Sequence, residues 1–137
     1  MTDLEIEKVR IEAEQGNADA QHNLGETYYY GNGVDEDETE ALRWYAKAAE
    51  QGHANAEFML GQLHYYGWGV DEDETEGIRW YTKAAEQGHP RAQYRLGELY
   101  YYGWGVQVDE AEGMRWWAKA AGQGNAYAQS MLDTLNK

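Results

Sequence analysis

The sequence holds no cysteine, a single proline and a single serine. Without cysteine there is no disulfide, no thiolate metal ligand and no thiol nucleophile. Ser130 alone gives a serine–histidine–acid triad little to work with. Basic residues are scarce too: 11 Lys and Arg stand against 25 Asp and Glu, a formal net charge of −14. Affinity for a nucleic-acid backbone rests on Lys and Arg displacing condensed counterions, so nucleic acid is excluded as a partner. An anionic membrane surface is disfavoured for the same reason. No apolar run approaches the roughly 18 residues of a membrane-spanning helix. The opening Met1-Thr2-Asp3-Leu4-Glu5 has neither a basic n-region nor an apolar h-region, so a cytoplasmic location is expected.

What the chain does have is glycine, 16 residues, and aromatic side chains, including 6 tryptophans and 12 tyrosines. Aromatic content of 14% argues against disorder despite the charge. The dominant feature is an internal repeat. In blocks of 36 residues the chain divides into 18–53, 54–89 and 90–125, preceded by residues 1–17 and followed by 126–137. The first two blocks agree at 25 of 36 positions. The lead segment matches the end of a block and Ala126 to Leu132 match the start of one. Both therefore read as capping half-repeats in a single repeat domain.

Each block reads as two helices. The first spans Ala18 to Tyr30, with Ala18, Ala20, Leu24, Thr27 and Tyr28 at helical spacing, and Gly31-Asn32-Gly33 stops it. The second opens at Asp37-Glu38-Thr39-Glu40, a capping box in form, repeated at Asp73…Glu76 and Asp109…Glu112. Its apolar stripe is Ala41/Leu42, Trp44/Tyr45 and Ala48/Ala49, and Gly52 ends it. Glu40–Arg43, Glu76–Arg79 and Glu112–Arg115 are spaced to pair across one helical turn. Trp44, Trp80 and Trp116, with Tyr45, Tyr81 and Trp117, are expected in the core. No strand signal remains. The pattern predicts an all-α solenoid of seven helices, drawn from the lead, the three pairs and the tail.

The residues Ala18-x-Ala20…Leu24-Gly25…Tyr29…Gly31-x-Gly33-Val34…Asp37…Ala41…Trp44-Tyr45-x-Lys47-Ala48-Ala49-x-Gln51-Gly52 resemble the Sel1-like repeat, a relative of the tetratricopeptide repeat. Blocks two and three carry the same pattern, with Gly77 and Gly113 where the family favours alanine and Trp117 in place of the usual tyrosine. The resemblance implies a right-handed α–α superhelix of antiparallel helix pairs. It also implies a scaffold that binds proteins or peptides and is generally not catalytic. The near-identity of blocks one and two fits either recent duplication or an engineered array.

Other chemistry fits poorly. The histidines His22, His53, His64 and His89 form no His-x3-His pair, and His22 with Glu26 supplies only two ligands, so no metal is expected. The acidic run from Asp35 lacks the glycine and the bidentate glutamate of a calcium loop. Acidic residues in a first helical turn are explained by the helix dipole. Gly31-x-Gly33 is a turn and not a phosphate cradle. No cofactor is implied.

Of the 11 differences between blocks one and two, seven fall between Asp19 and Tyr28. By analogy with tetratricopeptide repeats, the first helices line a concave groove. Its expected groove positions are Asp19, Asn55, Arg91 and Tyr127; His22, Phe58, Tyr94 and Ser130; Glu26, Gln62, Glu98 and Thr134; and the pairs Tyr29/Tyr30, Tyr65/Tyr66 and Tyr101/Tyr102. Arg91 and Arg95 stand a turn apart where related domains use basic residues to hold a peptide carboxylate. His22, Glu26 and Met59 depart from the rest of that clamp, and pairing with Glu57 or Glu98 is the alternative. The expected partner is a protein or peptide, basic or aromatic in character. Trp68 and Trp104, each between two glycines, motivate a second reading, self-association through exposed rings.

Overall fold

The computed structural model describes all 137 residues, Met1–Lys137. It contains α1 (Asp3–Glu14), α2 (Ala18–Tyr30), α3 (Glu38–Glu50), α4 (Ala54–Tyr66), α5 (Glu74–Glu86), α6 (Pro90–Tyr102), α7 (Glu110–Gly122) and α8 (Ala126–Leu135), and no strand. The count of seven is thereby corrected to eight: the lead and the tail give one helix each and the three blocks give two apiece. No helix is long and apolar enough to cross a membrane.

The first helices end where glycine takes up the left-handed conformation, Gly31 at φ 67° and Gly67 at φ 71°. Second helices start at Asp37, Asp73 and Asp109, whose side chains accept from the backbone N–H three residues on. The reciprocal half of the expected capping box does not form. The Asp37 N–H already donates to the Tyr28 carbonyl at 2.9 Å, closing the turn. Glu40 instead accepts from Arg43 at 2.8 Å and from the Trp44 indole at 3.1 Å.

Within a block the two helices run antiparallel and approach closely at a glycine. A Cβ on Gly25 would lie 2.8 Å from the Tyr45 ring, and one on Gly61 would lie 2.7 Å from that of Tyr81. Gly97 meets Trp117 in the same way. The equivalent place in α8 is Asp133, which is exposed. Tyr45, Tyr81 and Trp117 are fully buried, and Trp44 and Trp80 nearly so. Trp116 departs from expectation. It is half-buried and lacks the indole-to-carboxylate bond that fixes Trp44 to Glu40 and Trp80 to Glu76.

Successive blocks are tied by a repeated glutamine. The Gln51 side chain donates to the Gly16 carbonyl at 2.9 Å and to Gln21 at 2.8 Å, and Gln123 does the same to Gly88 and Gln93. In block two the acceptor is Glu57, which takes the Gln87 bond at 2.6 Å, and burial pushes its carboxyl up in pKa.

Candidate functional site

The first helices α2, α4, α6 and α8 are lateral neighbours. His53 caps α4 through Nδ1, which accepts the Ala56 N–H, while its Nε2 meets Asp19 on α2 at 2.9 Å. His89 caps α6 in the same way and reaches Asn55 on α4 at 2.7 Å. His22 stacks on His53 at 4.6 Å, and Phe58 stacks on His89 at 4.9 Å. The two capping histidines follow helix-ending glycines as the sequence shows, but their work as caps and inter-block ties was not legible there. Histidine is not a usual cap, and the role requires a neutral Nδ1 acceptor.

Two cavities open on this side and share Phe58 and Arg91. One, of about 250 Å³, is lined by Phe58, Gln62, Arg91, Tyr94, Arg95, Asn125 and Tyr127. The other, of about 230 Å³, is lined by His22, Glu26, Asn55, Phe58, Met59, His89 and Arg91. Nine of the expected positions thus come together here, while Asp19 reaches them only through its bond to His53. Phe58 is only 3% exposed and forms the floor. Glu98 lies behind Arg95. Ser130 is exposed on α8 and lines neither cavity, and the tyrosine pairs lie at the far ends of their helices.

Charge is unevenly arranged across the two cavities. Five of the six arginines pair with a glutamate: Arg10 with Glu7, Arg43 with Glu40, Arg79 with Glu76, Arg95 with Glu98 and Arg115 with Glu112. Arg91 alone has no such partner. Its guanidinium sits 4.7 Å from the Phe58 ring centroid, a cation–π contact that holds it over the cavity. Arg95 reaches Glu98 at 3.3 Å and Gln62 at 3.4 Å, and lies 5.5 Å from the Tyr66 ring centroid. Burial raises the pKa of the Glu98 carboxyl, with Arg95 opposing the shift. At the opposite end Glu26 faces only His22, at 3.3 Å. Burial lowers the pKa of His22, so the ring is neutral near pH 7 and leaves the Glu26 charge uncompensated. The Asn125 side-chain oxygen caps α8, and Tyr127, 72% exposed, tilts over Tyr94 at 5.8 Å. Nothing here assembles three or more histidine, aspartate or glutamate side chains about a metal position.

The Sel1 repeat family model matches residues 18–53, 54–89 and 90–125. No curated protein matches the chain. Among solved structures, a Sel1 repeat protein from Oxalobacter formigenes is 38% identical with a TM-score of 0.86, over 95% of this chain and 98% of that one. A protective antigen of uropathogenic Escherichia coli strains, c5321, which displays an SLR fold, is 44% identical with a TM-score of 0.87 over 90% of this chain. This chain spans only 27% of the c5321 chain. Helicobacter pylori cysteine rich protein B shares the fold at 20% identity and a TM-score of 0.73, over 92% of this chain and 96% of that one.

Proposed function

The chain belongs to the Sel1 repeat family, whose fold is commonly a protein-interaction scaffold, and from that premise we propose that it is a non-catalytic module. On this reading it holds an extended peptide or a partner's surface along α2, α4, α6 and α8. The observation that carries this reading is Arg91, an arginine left without a carboxylate in a chain of net charge −14, poised on Phe58 beside Tyr94 and Tyr127. Exposed ion pairs contribute roughly 0–1 kcal/mol, so such a contact gains strength only where aromatic walls exclude water. Tyrosine supplies that wall as rigid contact area at small entropic cost. The acidic remainder of the molecule favours partners with basic flanks and speeds their approach in a salt-dependent way.

Selection from a random peptide array on the intact chain tests the reading. Replacing Arg91 and Arg95 with glutamine is expected to weaken the selected peptides more than tenfold with helicity unchanged. Unchanged affinity would return both to ordinary surface charge. The second reading, self-association, draws support from Trp68 and Trp104, which are 36% and 47% exposed. Sedimentation at several concentrations decides it, and a mass that stays monomeric removes it.

A further inference from the structure

A periodic strip of rings runs along the solenoid beside the cavities. At the end of each first helix a tyrosine pair meets edge to face: Tyr29–Tyr30 at 4.9 Å, Tyr65–Tyr66 at 5.0 Å and Tyr101–Tyr102 at 5.1 Å. The second ring of each pair is exposed. Blocks two and three each add a tryptophan in the following turn. Trp68 stacks on Tyr66 and Trp104 on Tyr102, both at 4.8 Å and within about 23° of parallel. Trp68 also reaches back to Tyr29 at 6.4 Å, joining the rings of two blocks. The glycine after each tryptophan seats its turn on the preceding block: a Cβ on Gly69 would lie 2.8 Å from Glu38, and one on Gly105 would lie 2.8 Å from Glu74.

Carboxylates follow the same period. Glu36 and Glu38 act on Tyr29, Glu72 and Glu74 on Tyr65, and Glu110 on Tyr101. None of the five belongs to an ion pair.

We infer that this strip is a docking track for a basic, proline-rich strand in the polyproline II conformation. The strip lies outside the two cavities, so this is a second docking surface, beyond the reading centred on Arg91. Charge selects the basic residues, because five carboxylates along the rings lack a cation. The rings select the conformation. Tyr66 with Trp68 and Tyr102 with Trp104 present stacked aromatic faces of the kind on which proline rings dock. Polyproline II repeats every three residues, so a strand running along the track presents one basic residue per turn to the carboxylates. Proline rings lie on the exposed tyrosine and tryptophan faces, and a basic residue at every third place reaches the carboxylates. The strand is stiff before it binds, which reduces the ordering cost.

The test is fluorescence anisotropy on the full chain with a labelled peptide of four Pro-Pro-Arg triplets, against a Gly-Ser-Arg peptide of the same length and charge. The proline peptide is expected to bind at least tenfold more tightly and to shift the tryptophan emission. The double variant Trp68→Asn/Trp104→Asn carries at both places the residue type that block one has at Asn32, so the turn accepts it. It is expected to lose at least tenfold in affinity, while Arg91→Gln is expected to lose little. Equal binding of the two peptides overturns the polyproline assignment and leaves a charge-reading groove standing. Full affinity in the tryptophan variant, or loss confined to Arg91→Gln, overturns the track and moves the peptide into the cavity. Absence of binding up to millimolar peptide overturns it as well. So does concentration-dependent dimerisation that the tryptophan variant abolishes, because a second copy then occupies the strip.

Discussion

Equivalent residues in successive blocks isolate what single atoms contribute. Tyr45 and Tyr81 are both fully buried. The Tyr81 hydroxyl donates to Gln62 at 2.6 Å, whereas the Tyr45 hydroxyl has no partner. The difference traces to one side chain: Glu26 stands where block two has Gln62, and it turns to His22 instead. Burial raises the pKa of both phenols, so each remains a proton donor at neutral pH. A buried donor without an acceptor costs about 1–3 kcal/mol, and a satisfied one contributes about 1 kcal/mol. Tyr45→Phe is therefore expected to leave stability unchanged or raise it, while Tyr81→Phe lowers it by about 1 kcal/mol. Urea unfolding of the two variants would show the reverse order if this account were wrong. The burial of both rings was legible from the 36-residue register. The fate of their hydroxyls was not, because it depends on which way a residue from another helix points.

At the scale of the helix, the ends divide into those the sequence announces and those it hides. Glycine in the left-handed conformation and aspartate before a helix are local signals, and Ala18–Tyr30 was bounded correctly from them. His53 and His89 do the same work as Asn17 and Asn125 at the equivalent starts of α2 and α8, yet a histidine caps only when Nδ1 is unprotonated. For His89, burial and the neighbouring Arg91 charge push the pKa down to about 4. The unfolded chain binds the proton near the ordinary value of about 6.5, so the unfolded state is favoured as pH falls between about 6.5 and about 4. Stability from this group is full above that window and absent below it. Because the ring keeps some contact with solvent, the loss is about 1–2 kcal/mol. His89→Asn, which installs the cap used at Asn17, is expected to flatten the slope across that window. Chemical unfolding of both proteins at pH 4 to 6.5 measures the difference, and parallel slopes would contradict it.

Across the whole molecule each block touches only its neighbours, so stability adds along the array. Excising residues 54–89 joins His53 to Pro90, the same His-Pro step that starts α6. The shortened chain is expected to stay helical, with a lower unfolding midpoint and a urea m-value reduced by roughly a quarter, in proportion to the surface lost. Loss of helicity at 25 °C would show that α4 and α5 carry more than their share. The candidate site was legible at this scale as a set of positions, because a repeat fixes which residues share a face. Its charge layout was not. The isolation of Arg91 becomes visible only once Arg95 has claimed Glu98 and Gln87 has claimed Glu57.

The glycine notch under each large ring of the second helices also sets how near a neighbouring helix can come. Gly25, Gly61 and Gly97 each receive such a ring, and the equivalent place in α8 carries the exposed Asp133, which accepts a hydrogen bond from Gln129 at 2.9 Å. A helix arriving in register would have to press an aromatic ring onto a carboxylate and its backbone. Glycine at this place therefore works as clearance, and a larger side chain there keeps a second helix at a distance from the first.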